Sequence, residues 1–408
     1  MIAYQEALRI VLDEIRDTLP VETTPLVLSA GRILAQDIVA EENIPSAANS
    51  AMDGYAVRAA DLAEASKEHP GTLRVIGEVA AGSPFTGETG PGEAVRIMTG
   101  GIIPAGADSV VEVESTSEHD DIVSVFRSVS VGSSIRNAGE DVHTGEVVIA
   151  AGKKITPGDI GVLASLGITN VPVRVKPKIA ILSTGNEVVD AHRVPGPGQL
   201  RNSSGPALYA ACVDNGGEPI DLGIAGDDRE MLEDSLEQGL RFDVLLTTGG
   251  VSAGAYDLVQ HVLPELGMKV LFHKVNIKPG KPVLFGLYEE GGKRTLVFGL
   301  PGNPVSSLVT FYGLVAPAIR AMLGASPEPF RMKAVLETDI VKRDVRRHSV
   351  RGILRHDQNS LAVTTTGTQS SGAMSSMSKG NCLIILEEGA AELPRGTTVD
   401  VELLEWLQ

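Results

Sequence analysis

Three short apolar segments in the middle of the chain each run into a glycine turn. Ile179-Ala-Ile-Leu leads to Ser183-Thr-Gly-Asn-Glu187, Val244-Leu-Leu to Thr247-Thr-Gly-Gly-Val-Ser252, and Leu296-Val-Phe to Gly299-Leu-Pro-Gly-Asn-Pro304. Glycine lets a backbone N–H approach a ligand closely, and a helix N-terminus, which Pro304 marks, favours an anion. One such turn is ordinary βα-loop chemistry. Three at the same edge of one sheet point to a binding site for a ligand with negative charge. Its candidate residues are Thr184, Gly249, Gly250, Ser252, Pro301, Gly302, Asn303 and Pro304. None of the turns has GxGxxG or GxxxxGK[ST] spacing, which argues against a dinucleotide fold or a P-loop.

Two charged sets fit that ligand. Asp53, Asp141, Glu187, Asp227 and Asp257 stand in these turns or in similar Gly-Asp contexts. Mg²⁺ takes one or two carboxylates together with water and substrate phosphate. Any one of them alone reads equally well as solvated surface or, for Asp53 before Gly54, as a turn cap. On the basic side, Lys274, Lys278 and Lys281 are expected on a strand and the turn after it. The even spacing of Lys274 and Lys278 there directs both to one face. A second basic island comprises Lys342, Arg343, Arg346, Arg347, Arg351 and Arg355. No aromatic residues interleave to stack on bases, so anion capture by a subset is preferred to nucleic-acid binding. The eight histidines form no HExxH pattern, and Ser252 lacks Gly-x-Ser-x-Gly flanks, so a histidine-ligated metal enzyme and a serine hydrolase are both disfavoured.

The elements that must hold these residues follow from periodicity. Strands at Ile179, Pro219, Val244 and Leu296 alternate with helical stretches Ser204 to Asp214, Arg229 to Leu240, Tyr256 to Leu266 and Val305 to Leu323. Such alternation predicts a doubly wound α/β sheet. Ala7, Leu8, Val11, Leu12 and Ile15 share a helical face near the start. From Leu26 to Gly145 the text is β-like, and Thr156-Pro-Gly-Asp159 carries a capping box before a short helix. The stretch from Pro329 returns to strands and predicts a small β-barrel or sandwich.

The bulk numbers bound the reading. At 408 residues the chain exceeds one hydrophobic core, so two to four domains are expected. A formal charge of −17 repels nucleic acid and anionic membrane, so an anionic substrate needs local cations. Cys212 and Cys382 have no CxxC or Cys/His neighbour, which argues against disulfides or zinc. With no basic segment leading into an apolar core at the N-terminus, and no apolar run near the roughly 20 residues of a membrane span, a cytoplasmic protein is expected.

Taken together, the motifs resemble one family along essentially the whole chain. Asn49-Ser-Ala-Met-Asp-Gly-Tyr-Ala-Val-Arg58 is similar to the most distinctive motif of the molybdopterin molybdenumtransferases and of the C-terminal domain of gephyrin. Arg96-Ile-Met-Thr-Gly, Gly139-Glu-Asp141, Thr247-Thr-Gly-Gly-Val-Ser with Asp257, Ile277-Lys-Pro-Gly-Lys-Pro and Leu300-Pro-Gly-Asn-Pro-Val-Ser follow in the family's order.

The resemblance implies four domains: residues 1–25 with 145–176, a β-rich 26–144, an α/β molybdopterin-binding 177–326, and a β-barrel 327–408. It implies insertion of molybdate into adenylylated molybdopterin with release of AMP. Asp141, Glu187, Asp227 and Asp257 would border Mg²⁺ and pyrophosphate, with Asp227 and its neighbour Asp228 left as alternatives. Asp53 and Thr99 would come from the partner subunit of a homodimer, and Arg136 would steady an acidic group or phosphate. Lys274 and Lys278 would cradle the pterin phosphate, while Arg351 and Ser371 would accept the oxyanion. Other molybdenum-cofactor biosynthesis proteins are implied as partners. Two positions depart from the pattern: His348 stands where an acidic residue is common, and Arg201 where an Asp or similar polar residue is common. A gephyrin-like scaffold and a pterin adenylyltransferase are the alternatives.

Overall fold

The strand–helix alternation resolves into a six-stranded sheet. Four parallel strands lie in the spatial order Glu218–Ala225, Lys178–Thr184, Val244–Thr248, Lys293–Leu300, and antiparallel Leu284–Glu290 and Lys269–His273 complete one edge. The computed structural model describes residues 1–79, 82–226, 228–251, 258–357, 360–389 and 391–404. Both faces of the sheet are covered, so its strands carry apolar side chains in both directions. Ile179 and Ile181 face the helices Tyr4–Asp13, Ser204–Asp214 and Pro304–Met322. Ala180 and Leu182 face Arg229–Gly239 and Val259–Glu265. Phe272, Phe285 and Phe298 stack across three strands at 5.4 and 4.7 Å between ring centroids. Each such pair adds about 0.5–1.5 kcal/mol beyond area burial.

The helix Pro304–Met322 has the length and apolarity of a membrane span, but 78% of that window is buried as the core helix. Its middle turn widens to a π-helix over Phe311–Val315, where the carbonyl of Gly313 accepts the Tyr4 hydroxyl at 2.9 Å. The expected helix from Tyr256 is described only as Val259–Glu265, its start lying outside the described residues.

Upstream, a second six-stranded sheet runs Ser109–Glu112, Gly54–Val57, Glu93–Ile97, Gly71–Val79, Ile122–Val125, Thr116–His119. Gly54 has a packing reason, because a Cβ there would lie 1.9 Å from the Val111 carbonyl oxygen of the neighbouring strand. Val21–Pro25 pairs antiparallel with Asn170–Arg174, so the start of the chain meets the segment that follows this sheet. The capping box at the helix Pro157–Ser165 forms as the sequence predicts: Thr156 N–H donates to Asp159 at 2.8 Å, and Asp159 N–H to Thr156 Oγ1 at 3.3 Å.

The last region closes into a five-stranded barrel. Arg347–Asp357, Ser360–Thr365, Arg331–Leu336, Thr398–Leu403 and Cys382–Leu386 pair in sequence, and the last pairs back to the first. A two-residue strand from the other region, Ile277–Lys278, adds to it by parallel pairing with Arg347 and His348.

Candidate active site

The carboxyl ends of Lys178–Thr184, Val244–Thr248 and Lys293–Leu300 open into one cleft of about 690 Å³. Its wall includes Thr184, Gly185, Glu187, Gly249, Gly250, Pro301, Gly302, Asn303 and Pro304, so the three glycine turns converge. Parallel strands of similar length end together, which is why turns far apart in sequence meet here.

The turns interlock. Thr184 Oγ1 donates to the Thr248 carbonyl at 2.9 Å, and Gly249 N–H donates to the Leu300 carbonyl at 3.0 Å. Gly249 and Gly250 both have left-handed backbones, at φ +93° and +67°. A Cβ on Gly249 would come within 2.8 Å of Thr184 Oγ1. The Glu187 carboxylate folds over Gly185, both its oxygens 2.7 Å from where a Cβ would stand. That carboxylate is exposed at the rim. Asn303 precedes the helix, Pro304 occupies its first turn, and Val305 N–H donates to the Ser371 carbonyl at 3.2 Å. Thus one amide of the helix N-terminus is already used by the barrel, whose Gly372 also lines the cleft.

Asn202 was not singled out from the sequence. It donates to Ser183 Oγ at 2.9 Å and accepts from Gly205 N–H at 3.0 Å, binding the first turn to the helix Ser204–Asp214 at the cleft wall. An Asn just before a helical run is the signal that could have found it. Arg201, one of the departures, lies on the rim and donates to the Arg193 carbonyl at 2.9 Å.

Other candidates stand apart from this cleft. Asp53 and Thr99 do meet: the Thr99 N–H and hydroxyl donate to Asp53 Oδ1 at 2.7 and 2.8 Å. The N–H and then the hydroxyl hold this exposed carboxyl below the usual carboxylate range. Arg136 lies one strand away, paired with Asn49, and is exposed, as is Asp141, whose N–H donates to the Ile44 carbonyl. None of these four lines the cleft of its own chain. Asp228 caps the helix Arg229–Gly239 through Met231 N–H at 3.0 Å, so its carboxylate has a structural task. Asp227, Ser252 and Asp257 lie outside the described residues. Among the described residues no three His, Cys, Asp or Glu side chains gather as a metal cluster.

The expected placement of the lysines is corrected. Lys274 and Lys278 do not share a strand face: the strand Lys269–His273 ends before Lys274, which turns left-handed at φ +76°. The chain then crosses to the barrel, where Lys278 sits in its own short strand. Arg351 is 1% exposed, behind the cleft wall. Its Nε donates to Ser376 Oγ at 3.1 Å and its Nη2 to the Ser370 carbonyl at 3.2 Å, and burial lowers its pKa to about 10. With Ser371 it fastens the loop that meets the helix N-terminus.

Comparison with known proteins agrees with this architecture. Residues 2–167 match the family model described as MoeA N-terminal region (domain I and II). Residues 180–321 match a probable molybdopterin binding domain, and residues 333–404 the MoeA C-terminal region (domain IV). A molybdopterin molybdenumtransferase of Haemophilus influenzae is 36% identical over 407 residues, covering 98% of each chain. One from Bacillus subtilis is 36% identical, covering 92% of this chain and 88% of its own. A crystal structure of a molybdopterin biosynthesis moeA protein from Pyrococcus horikoshii OT3 superposes with TM-score 0.86 at 33% identity, covering 99% of this chain and 100% of that one.

Proposed function

The chain belongs to the MoeA family, and from that premise we propose that it is a molybdopterin molybdenumtransferase, placing molybdenum from molybdate into adenylylated molybdopterin and releasing AMP. The observation that carries this reading is the meeting of three glycine turns, a helix N-terminus and Glu187 in one cleft.

The cleft's bare backbone at Gly249 and Gly250 admits a flat pterin and its phosphate without side-chain collision. Thr184 and Asn202 fix the turns, so the binding geometry exists before substrate arrives. Catalysis then rests on positioning and electrostatics rather than on a covalent protein intermediate. The exposed Glu187 carboxylate at the rim fits an oxygen-preferring cation, with Asp141, Asp227 and Asp257 as its proposed companions. Mg²⁺ bound there would withdraw charge from the pyrophosphate that breaks.

A homodimer is part of the proposal. Asp53, Thr99, Arg136 and Asp141 would reach the cleft of a partner subunit. Around Asp53 the surface exposes Met52, Met98, Ile102 and Val113, an apolar rim suited to contact with a second copy. The same reading places the protein in the cytoplasm, where two buried free thiols, Cys212 and Cys382, are at home.

The test is AMP release by the purified chain given adenylylated molybdopterin, Mg²⁺ and molybdate. Glu187→Ala is expected to lower turnover about a hundredfold, the effect of losing one electrostatic partner of the transition state. Molybdate-independent consumption of ATP with unadenylylated pterin would instead identify an adenylyltransferase.

A further inference from the structure

Where the central α/β region hands a segment to the barrel, one carboxylate collects an unusual number of donors. Lys278 Nζ donates to Asp344 Oδ2 at 3.0 Å, and Arg346 Nη2 donates to the same oxygen at 3.0 Å. Oδ1 accepts from Arg346 Nε at 3.2 Å, from Arg346 N–H at 3.1 Å and from His348 Nε2 at 2.9 Å. A carboxylate offers about four lone-pair sites, so this one is fully engaged. All donors but one belong to the two residues that lead into the strand Arg347–Asp357 or start it. The exception, Lys278, arrives from the other region, and the parallel pairing sets it opposite His348.

We propose that Asp344 is the positioning residue for Lys278, with Arg346 and His348 fixing the carboxylate so that the lysine ammonium is presented in one orientation. The proposal rests on the reading that Lys278 helps bind the anionic substrate. A lysine has a long flexible stem, and a fixed acceptor removes most of its rotamer freedom before the anion arrives. With a neutral imidazole, two cations against one carboxylate leave a net positive charge, so the site still attracts an anion. The arrangement also gives His348 a task at the position where related chains often carry an acid: here the carboxylate stands at 344, and the imidazole reaches it from one turn of chain away.

Activity and titration separate this proposal from the transferase reading. In the full-length protein, Asp344→Asn is expected to raise the KM for molybdate about tenfold, with kcat within about twofold, because binding geometry is lost and chemistry is not. Asp344→Glu should bring KM back to within about threefold of wild type. Lys278→Ala should cost less in the Asp344→Asn background than alone, since the two act as a unit. A KM unchanged by Asp344→Asn, or full additivity with Lys278→Ala, overturns the proposal. If the Asn variant does not fold by circular dichroism, Asp344→Glu and His348→Gln replace it, and KM unchanged in both overturns the proposal equally.

The second arm needs no turnover. Burial holds the His348 imidazole below its ordinary pKa, Asp344 opposes that, and Lys278 and Lys342 are the cations facing it. Removing the carboxylate should lower the His348 titration further, by about one unit, read by NMR. An unmoved titration overturns the hub even in a protein that releases AMP. A moved titration in a protein that releases none would sink the transferase reading alone.

Discussion

The glycine turns of the central sheet and the basic strand of the barrel each gather polar groups, with opposite outcomes. At the turns, Gly185, Gly249 and Gly250 leave backbone uncovered, and the Glu187 carboxylate stands in solvent. In the barrel the cations turn inward. Arg347 is 3% exposed, its guanidinium lies 4.0 Å from the Tyr4 ring centroid, and its Nη2 donates to the buried Glu402 at 3.2 Å. Arg331 reaches the same Glu402 oxygen at 2.7 Å. A run of basic residues therefore says little about anion capture until burial is known. Half of this one is a brace between the N-terminal helix and the barrel.

The contrast predicts that the brace controls stability and the turns control activity. Arg347→Ala leaves the Tyr4 ring uncovered and removes one of two cations from Glu402. Breaking a buried pair costs about 3–5 kcal/mol, and Arg331 remains, so a loss of about 3 kcal/mol is expected. Calorimetry would show it as a thermal midpoint several degrees lower; a midpoint within about 1 °C of wild type would remove the brace. Gly249→Ala is the counterpart in the cleft. A left-handed backbone costs an L-residue about 1–2 kcal/mol, and the new Cβ presses on Thr184. AMP release should fall at least about tenfold, more than the melting change explains. Full activity would mean that the turn is scaffold and not cradle.

Much of the cleft was legible because strand ends, glycine turns and a proline-marked helix start are local signals. The helix Ser204–Asp214 and the capping box at Thr156 appear where periodicity and capping residues put them. The lysines were misplaced because even spacing implies one face only along a continuous strand, and Lys274 breaks the strand with a left-handed turn. Nothing local announces that the next two residues will pair with a strand some seventy positions away. Likewise the burial of Arg347 and Arg351 depends on what packs over them, Tyr4 in one case and the Ser370–Ser376 loop in the other.

Acid should separate the two regions more gently. Hydrogen bonds led by those from Arg346 hold the Asp344 carboxyl well below the usual carboxylate range, against the opposing pull of burial. A carboxyl with a depressed folded pKa adds stability above its unfolded value of about 3.9 and loses it as pH falls through the folded value. The wild-type midpoint should therefore drop as pH goes from about 5 toward 3, and Asp344→Asn should flatten that slope. Since about a third of this side chain is exposed (34%), screening keeps the effect below about 1 kcal/mol. Equal slopes in the two proteins would show that Asp344 contributes nothing to acid sensitivity.

The smallest expected effect is the sharpest test of whether cover, rather than charge, distinguishes the regions. Arg331 and Lys333 lie two residues apart on one strand, hence on the same face, and their register partners are Glu402 and Asp400 on the next. Both form ion pairs, at 2.7 and 2.8 Å. They differ in what lies above them: Glu402 is 7% exposed beneath Arg347 and Tyr4, whereas Lys333 and Asp400 are 68% and 42% exposed. A double-mutant cycle with Lys333→Met and Asp400→Asn should give a coupling of about 0–0.5 kcal/mol that shrinks with added salt. The cycle on Arg331 and Glu402 should exceed it and resist salt, because water cannot replace the lost partner. Equal couplings would mean that position on the barrel face is irrelevant, and the distinction between brace and surface would fail.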